Sequence, residues 1–518
     1  MTTEDQSSVV AFLSSPTTHA GAPVERIDTH ASIVFLAGER AWKLKRAVRY
    51  DYLDYSSPAQ RRLMCEAEVR INRRTAPALY LGVTAVMQQA DGSLTIGGTG
   101  TPIEWLVEMA RVDQANRFSR LAEAGLLPLQ MMERLAHTIA RLHASAERRF
   151  QRGGWDAMQR VIDGNAAGFA SEGPGILDSV RCARLTAQAR FVLDRGGVLL
   201  DQRRDDGLVR QCHGDLHLRN IVVLDGAPTL FDAIEFNDEI SSIDVLYDLA
   251  FLLMDLERLG LPHHANVLWN VYLTETGDWD GLRLMPVFLS CRAAVVAKTT
   301  ATAANLETNA DRRLELRALA NDYLACAYAQ LETAPPCLIA VGGASGSGKS
   351  TLASALAPTI GAVPGAVVLR SDVIRKTLRG VNPLDRLGPE GYTAEVSRGV
   401  YAALIERADK VVRGGSPVIA DAVFAQSVHR DAIEHVATAA GVPFIGMWLE
   451  APAAVLLSRA ERRGLDASDA GAEVIRRQLA RRLDAPRWRR LDASGTRQQV
   501  RDEACRIVRE ATGDRSSR

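Results

Sequence analysis

Two stretches of this chain place side chains at spacings that suit phosphate chemistry. The first is His213-Gly214-Asp215-Leu216-His217-Leu218-Arg219-Asn220. It runs on through Ile221-Val222-Val223 and a turn at Asp225-Gly226 to Leu230-Phe231-Asp232. Phosphoryl transfer from ATP needs a carboxylate that orients the attacking hydroxyl and accepts its proton, and oxygen ligands that hold Mg²⁺ against the phosphates. Asp215 and Asn220 share one loop, the apolar Ile221-Val222-Val223 fixes its end, and a hairpin return lets Asp232 face Asn220. A base candidate, an amide oxygen and a carboxylate converge.

The second stretch is Gly343-Ala344-Ser345-Gly346-Ser347-Gly348-Lys349-Ser350-Thr351, which fits G-x-x-x-x-G-K-[ST]. It follows the apolar Leu338-Ile339-Ala340-Val341 and opens a helical TLASALA, the context this motif requires. The glycines let backbone N–H groups wrap a β-phosphate at a helix N-terminus. Lys349 reaches the β- and γ-phosphates, and Ser350 is placed to ligate Mg²⁺.

These residues need elements to hold them. Residues 30–50 read as a hairpin turning at Gly38-Glu39, 57–75 as a helix, and 79–87 and 104–110 as strands. The pattern is mainly helical over 116–200, then strand, tight loop, strand, strand over 208–236, and helical again over 243–332, with one long helix expected at 301–332. Pro335-Pro336 ends that helix, which divides the chain into 1–334 and 335–518. Beyond it, strands at 337–342, 366–370, 416–421 and 443–449 alternate with helices, the mark of a parallel α/β sheet. The first part is then a small β-rich lobe and a larger helical lobe, an α+β arrangement. Strand ends place Asp372 and Asp421 where α/β sheets bind ligands. The arginines at 481–482 and 487–490 could bind phosphates or adenine; in so arginine-rich a chain the favoured reading is a solvated helix.

Composition narrows the setting. The chain has 518 residues, 47% hydrophobic and 24% charged, and no net charge, which excludes a disordered or fibrous chain. Residues 331–518 carry +6 and residues 1–330 carry −6, too little to indicate a polynucleotide partner. Only six of the 62 cations are lysines, and Lys43, Lys45 and Lys349 are three of them. The seven cysteines have no metal-ligand spacing, and reduced thiols in a cytoplasmic protein are expected. The first fifteen residues make a poor signal peptide, and no apolar run of 18 residues predicts a membrane span.

The loop at 213–232 resembles that of the aminoglycoside phosphotransferase family, within the protein-kinase-like superfamily, over roughly residues 25–330. The likeness is greatest to an uncharacterised bacterial branch in which such a domain is fused to a second nucleotide-binding domain. The resemblance implies Asp215 as catalytic base, Asn220 and Asp232 as Mg²⁺ ligands, and His213 as a brace. A phosphate lysine is expected on the second hairpin strand, where Lys43 and Lys45 share a face. Comparison with the kinase pattern V-A-I-K favours Lys45. Its partner is Glu66 or Glu68, with Glu68 preferred. Asp244 and Asp248 look like structural acids at a helix end. Acceptor residues are not readable; Asp163, Asn165, Glu235 and Asp238 are guesses.

Residues 337–515 resemble small P-loop kinases: gluconate, shikimate, chloramphenicol and polynucleotide 5′-kinases. That likeness implies Asp372 as base, Arg375 gripping the acceptor, and Asp421 supporting Mg²⁺. Arg459 and Arg463 would form a lid. The expected function is a bifunctional ATP- and Mg²⁺-dependent phosphotransferase acting on small hydroxylated molecules, the first plausibly a sugar or amino sugar. The alternatives are a second domain that phosphorylates polynucleotide 5′-hydroxyls, or one that regulates the first as an ATPase or nucleotide sensor.

Overall fold

The computed structural model describes residues 4–50, 52–332, 335–461, 467–480 and 487–513. The chain forms two compact units, residues 1–255 with 291–324, and residues 256–290 with 325–518. By packing, therefore, residues 256–290 and 325–334 group with the later part of the chain, a division different from the linker at 334/335. Asn266, on helix Pro262–Thr276, shows why: its Nδ2 donates to the carbonyls of Pro364 (2.8 Å) and Ala366 (3.0 Å).

In the first unit six antiparallel strands form a sheet in the order Val24–Asp28, Ser32–Ala37, Arg40–Lys45, Thr101–Ala110, Tyr80–Gln88, Leu94–Ile96. The expected hairpin pairs Ser32 with Lys45 and Ala37 with Arg40 across the Gly38-Glu39 turn. Helix Pro58–Asn72 lies on the sheet. It starts at Ser57, whose hydroxyl accepts the Gln60 N–H, and at Pro58, whose fixed φ suits the first turn. Its buried face (Cys65, Val69) packs with Tyr80 and Val107. The helical lobe contains Leu129–Ser145, Gly154–Glu172 and Ser179–Asp205, then Val209–Gln211 and the hairpin Ile221–Leu224 with Ala227–Leu230.

The long helix expected at 301–332 is broken. One helix ends at Leu306 and the next spans Ala310–Ala329. Asn309 is the reason: its Oδ1 accepts the Arg312 N–H at 2.9 Å and caps the new helix. The helical stretch Asp280–Leu306 is long and apolar enough to cross a membrane (mean hydropathy 1.2), but 72% of that window is buried within the structure, as in a core helix. All seven cysteines are free.

The second unit carries five parallel strands in the order Val367–Arg370, Val418–Asp421, Leu338–Gly343, Phe444–Glu450, Arg489–Asp492. The strand leading into the glycine-rich loop is central, and its residues are all buried. The fifth strand corrects the sequence reading of a solvated helix at 487–490: Arg489–Asp492 pairs with Met447–Glu450. Trp488 and Leu491 are buried while Arg489 and Arg490 are exposed; the ladder to the neighbouring strand, and not the spacing of the buried residues, makes this segment a strand. Arg481 and Arg482 lie outside the described residues.

Candidate active sites

In the first unit the strand's two-residue period turns Lys43 and Lys45 to one face, beneath the helix that carries Glu68. Each lysine takes one oxygen of that carboxylate. Lys43 Nζ lies 2.8 Å from Oε1 and Lys45 Nζ 2.7 Å from Oε2. Beyond this the two differ. Lys43 keeps 15% side-chain exposure and reaches Asp232 Oδ1 at 2.6 Å. Lys45 is wholly enclosed, paired with Glu235 and bonded to the Tyr55 hydroxyl at 3.1 Å. The kinase pattern pointed to Lys45; the lysine that faces the half-exposed Asp232 is Lys43. Glu66 is on the outer face, paired with Arg62 at 2.9 Å.

Burial alone would push both ammonium groups down. For Lys43 the carboxylates of Asp232 and Glu68 outweigh it, for Lys45 those of Glu235 and Glu68, and both are held well above their ordinary values. Burial would raise Glu68, but Lys43 and Lys45 hold it down at about 2.

The loop opposite is held from behind. Asp248, wholly buried, accepts the backbone N–H of His213 at 3.0 Å and that of Gly214 at 2.9 Å. His143 Nε2 lies 3.1 Å from the same carboxylate. His213 Nε2 meets the Phe231 carbonyl at 2.9 Å, tying the loop to the strand that delivers Asp232. Asp215, half-buried, accepts from Asn220 Nδ2 at 2.9 Å and lies 3.2 Å from His217 Nε2. Burial would raise the Asp215 carboxyl; the His217 ring, by charge and hydrogen bond, holds it below the usual range. With Nδ2 turned to Asp215, the other amide atom of Asn220 is Oδ1. Phe231 N–H donates to the Asn220 carbonyl at 3.1 Å, which brings Asp232 into the neighbourhood. Asp232 has φ +62°, a left-handed backbone stabilised by its N–H donating to the Tyr80 hydroxyl at 3.0 Å. An amide oxygen and a carboxylate make the hard, oxygen-only donor set that suits Mg²⁺.

The acceptor guesses are dispersed. Asp163 pairs with Arg190 and Asp238 with Arg149 on the surface, Asn165 donates to the Cys291 carbonyl, and Glu235 belongs to the lysine cluster. Asp244 makes a bidentate pair with Arg203 at 2.7 and 2.9 Å.

In the second unit the loop from Gly343 to Ser350 requires its glycines. Gly343 has φ +136°, and a Cβ there would stand 2.5 Å from the Leu449 carbonyl oxygen; Gly346 has φ +84° and only 2.7 Å to that of Leu456. Lys349 Nζ reaches across the loop to the Ala344 carbonyl at 3.0 Å. Ser347 Oγ is buried without a hydrogen-bond partner among the described residues, as fits a cradle shaped for an anion. Thr351 follows in the helix Lys349–Leu356. Ser350 Oγ donates to Asp421 Oδ2 at 2.6 Å, so a hydroxyl and a carboxylate stand together where Mg²⁺ would sit. Burial raises the Asp421 carboxyl against the pull of Lys349 and Arg370.

Asp372 lies half-buried in the first turn of helix Ser371–Thr377. Arg375 is buried, donating to the Gly391 carbonyl at 2.8 Å with its guanidinium over the Tyr392 ring. It is thus tied into the fold. The neighbouring Lys376 bonds Asp469 at 3.1 Å. Arg459 is half-buried on helix Ala453–Glu461; Arg463 lies outside the described residues.

Sequence reasoning missed Asp248 as the brace of the 213–220 loop, as well as His143, Tyr55 and Arg292, whose Nη1 donates to the Gly214 carbonyl at 3.3 Å. Only the Asp248 position, four residues after Asp244 on an apolar helix, gave any signal.

Residues 338–486 match the sequence model of a family described as AAA domain. Uncharacterized proteins of Mycobacterium tuberculosis and Mycobacterium bovis are 28% identical over 493 residues, covering 93% of this chain and 95% of theirs. Among solved structures, a choline/ethanolamine kinase family protein from Mesorhizobium loti is 17% identical with a TM-score of 0.41, covering 63% of this chain and 94% of its own. A gluconokinase from Sinorhizobium meliloti is 24% identical with a TM-score of 0.26, covering 35% of this chain and 95% of its own. The chain joins an α+β unit, with an antiparallel sheet and a helical lobe, to a P-loop unit whose residues 338–486 match the AAA domain family.

Proposed function

We propose that this chain is a bifunctional phosphotransferase, each unit moving the γ-phosphoryl group of ATP to a hydroxyl of a small molecule. One observation carries the reading for the first unit: Lys43, fixed by buried Glu68, stands 2.6 Å from Asp232, on a hairpin anchored to the loop of Asp215 and Asn220. Lys43 binds nucleotide phosphate, Asp215 accepts the hydroxyl proton, and Asn220 and Asp232 hold Mg²⁺. When bound, Mg²⁺ neutralises phosphate charge. The lowered Asp215 carboxyl suits a group that must stay ionised to orient the hydroxyl. A sugar or amino sugar is the acceptor class proposed for this site.

In the second unit the glycine-rich loop and Lys349 cradle the phosphates, and Ser350 and Asp421 hold the metal. Asp372 is the proposed base. Arg459 is the described residue of the proposed lid over the phosphates, and Arg375 supports the acceptor side through Gly391 and Tyr392.

The test is ADP release from Mg·ATP by the wild type, Asp215→Ala and Lys349→Ala against pooled sugars, amino sugars, nucleosides and 5′-hydroxyl oligonucleotides. Two kinases predict that the variants lose different pools. Loss of every pool in one variant, with only altered rates in the other, would refute bifunctionality and make one unit a regulator.

A further inference from the structure

The lysine cluster of the first unit holds more charge than one nucleotide site needs. Two ammonium groups, Lys43 and Lys45, face three carboxylates, Glu68, Asp232 and Glu235. Glu68 is 0% exposed and Glu235 5% exposed, whereas Asp232 is 42% exposed. A buried carboxylate that loses its only counter-ion is strongly disfavoured. Lys43 alone would therefore have to balance Glu68 and arriving phosphates with a single charge. Lys45 removes that conflict. It takes the second oxygen of Glu68, and it is held there by Glu235 and by Tyr55, whose hydroxyl also donates to Glu235 at 2.6 Å. With no exposed surface, Lys45 is a poor candidate for a phosphate ligand.

We infer that Lys45 is a positioning residue, a permanent counter-ion for Glu68, anchored by Glu235 and Tyr55, that leaves the charge of Lys43 available to the nucleotide. This rests on the reading of the first unit as a nucleotide site. Lys45 acts only through Glu68 and Lys43. The arrangement divides between two lysines the tasks of neutralising the buried glutamate and meeting the phosphate.

The experiment uses the full chain with Lys349→Ala, so that the P-loop does not contribute. Binding of a non-hydrolysable ATP analogue with Mg²⁺ is read by calorimetry, beside thermal unfolding. Lys45→Met leaves two buried carboxylates short of a cation, and the balanced variant Lys45→Met/Glu235→Gln removes the pair while keeping the cluster's net charge. Removing both partners of a buried pair is tolerated far better than removing one, so the double variant keeps the protein testable if the single one does not fold. The double variant is expected to keep its unfolding midpoint and to bind nucleotide at least about tenfold more weakly, because Lys43 must then serve Glu68 and phosphate together. Lys45→Arg, which restores the charge, is expected to recover most of the affinity. A double variant that binds within about twofold of its parent would overturn the inference and leave Lys45 and Glu235 as core filling. A Lys349→Ala parent that binds no nucleotide would instead remove the reading of the first unit, and the inference with it.

Discussion

Asp248→Asn tests whether the catalytic loop is held from behind by one carboxylate. The substitution is nearly isosteric, so packing is preserved and only hydrogen bonding and charge change. Asp248 Oδ1 accepts from Gly214 N–H at 2.9 Å, and Oδ2 from His213 N–H at 3.0 Å with His143 Nε2 at 3.1 Å. An amide has one oxygen, so in either orientation its NH₂ confronts a backbone N–H. One buried donor is left unsatisfied, which costs about 1–3 kcal/mol. The surviving bond loses its charge assistance, about another 1 kcal/mol. Arg292, 4.0 Å from the carboxylate, loses an anion beside it. Together these come to about 2–4 kcal/mol. In a unit of this size that lowers the unfolding midpoint by roughly 4–8 °C, unless the loop shifts to relieve it, in which case the cost falls on Asp215 instead. Thermal unfolding and ADP release, both in a Lys349→Ala background, read the two outlets. His143→Ala, which keeps both backbone acceptors, is expected to cost only about 1 kcal/mol. A variant Asp248→Asn with an unchanged midpoint and unchanged first-unit turnover would refute the bracing argument.

Other outcomes follow from the same geometry. Gly343→Ala forces a Cβ to 2.5 Å from the Leu449 carbonyl at φ +136°; it is expected to abolish nucleotide binding by the second unit in calorimetry and to lower its unfolding midpoint. Asp421→Asn removes the acceptor of the Ser350 hydroxyl and half the proposed metal donor set, and should lose at least about tenfold in Mg²⁺-dependent second-unit turnover while Asp215-dependent activity is unchanged. Burial pushes the Glu257 carboxyl up to about 7 against a hydrogen bond from Gln330. The unfolded chain, with an ordinary carboxyl, releases this proton near pH 4.5, so the second unit should lose stability as pH rises from about 4.5 to 7 and level off above. Glu257→Gln should remove that dependence, stabilising the protein by about 2 kcal/mol at pH 8, after discounting for partial exposure, and by nothing at pH 4; equal gains at both pH values in urea titrations would contradict it.

The parts of the sites that were legible in the sequence are those in which one local segment does the whole task. The loop at 343–350 is such a segment: glycines at positive φ, a lysine and a hydroxyl are contiguous, and the strand before them is uninterrupted in its apolar character. The loop at 213–232 is nearly so, since its hairpin return is short enough for spacing to imply that Asp232 comes back to Asn220. What spacing could not supply is which of several equivalent side chains finds a partner from a distant segment. Lys43 and Lys45 share a strand face and are indistinguishable by periodicity; they become different only because Tyr55 and Glu235 cover one and Asp232 meets the other. Asp244 and Asp248 sit one helical turn apart, yet one is consumed by Arg203 on a helix 41 residues earlier and the other by the backbone of the catalytic loop. The fifth strand was missed because arginine is the default surface cation here and Trp488 and Leu491, three residues apart, carry no period-two signal; only the pairing with Met447–Glu450 reveals it. In each case the undetermined quantity was a long-range charge or packing partner. The second lysine illustrates the consequence: a residue that looks like a redundant copy of its neighbour in the sequence becomes, once its partners are known, the group that lets the neighbour work.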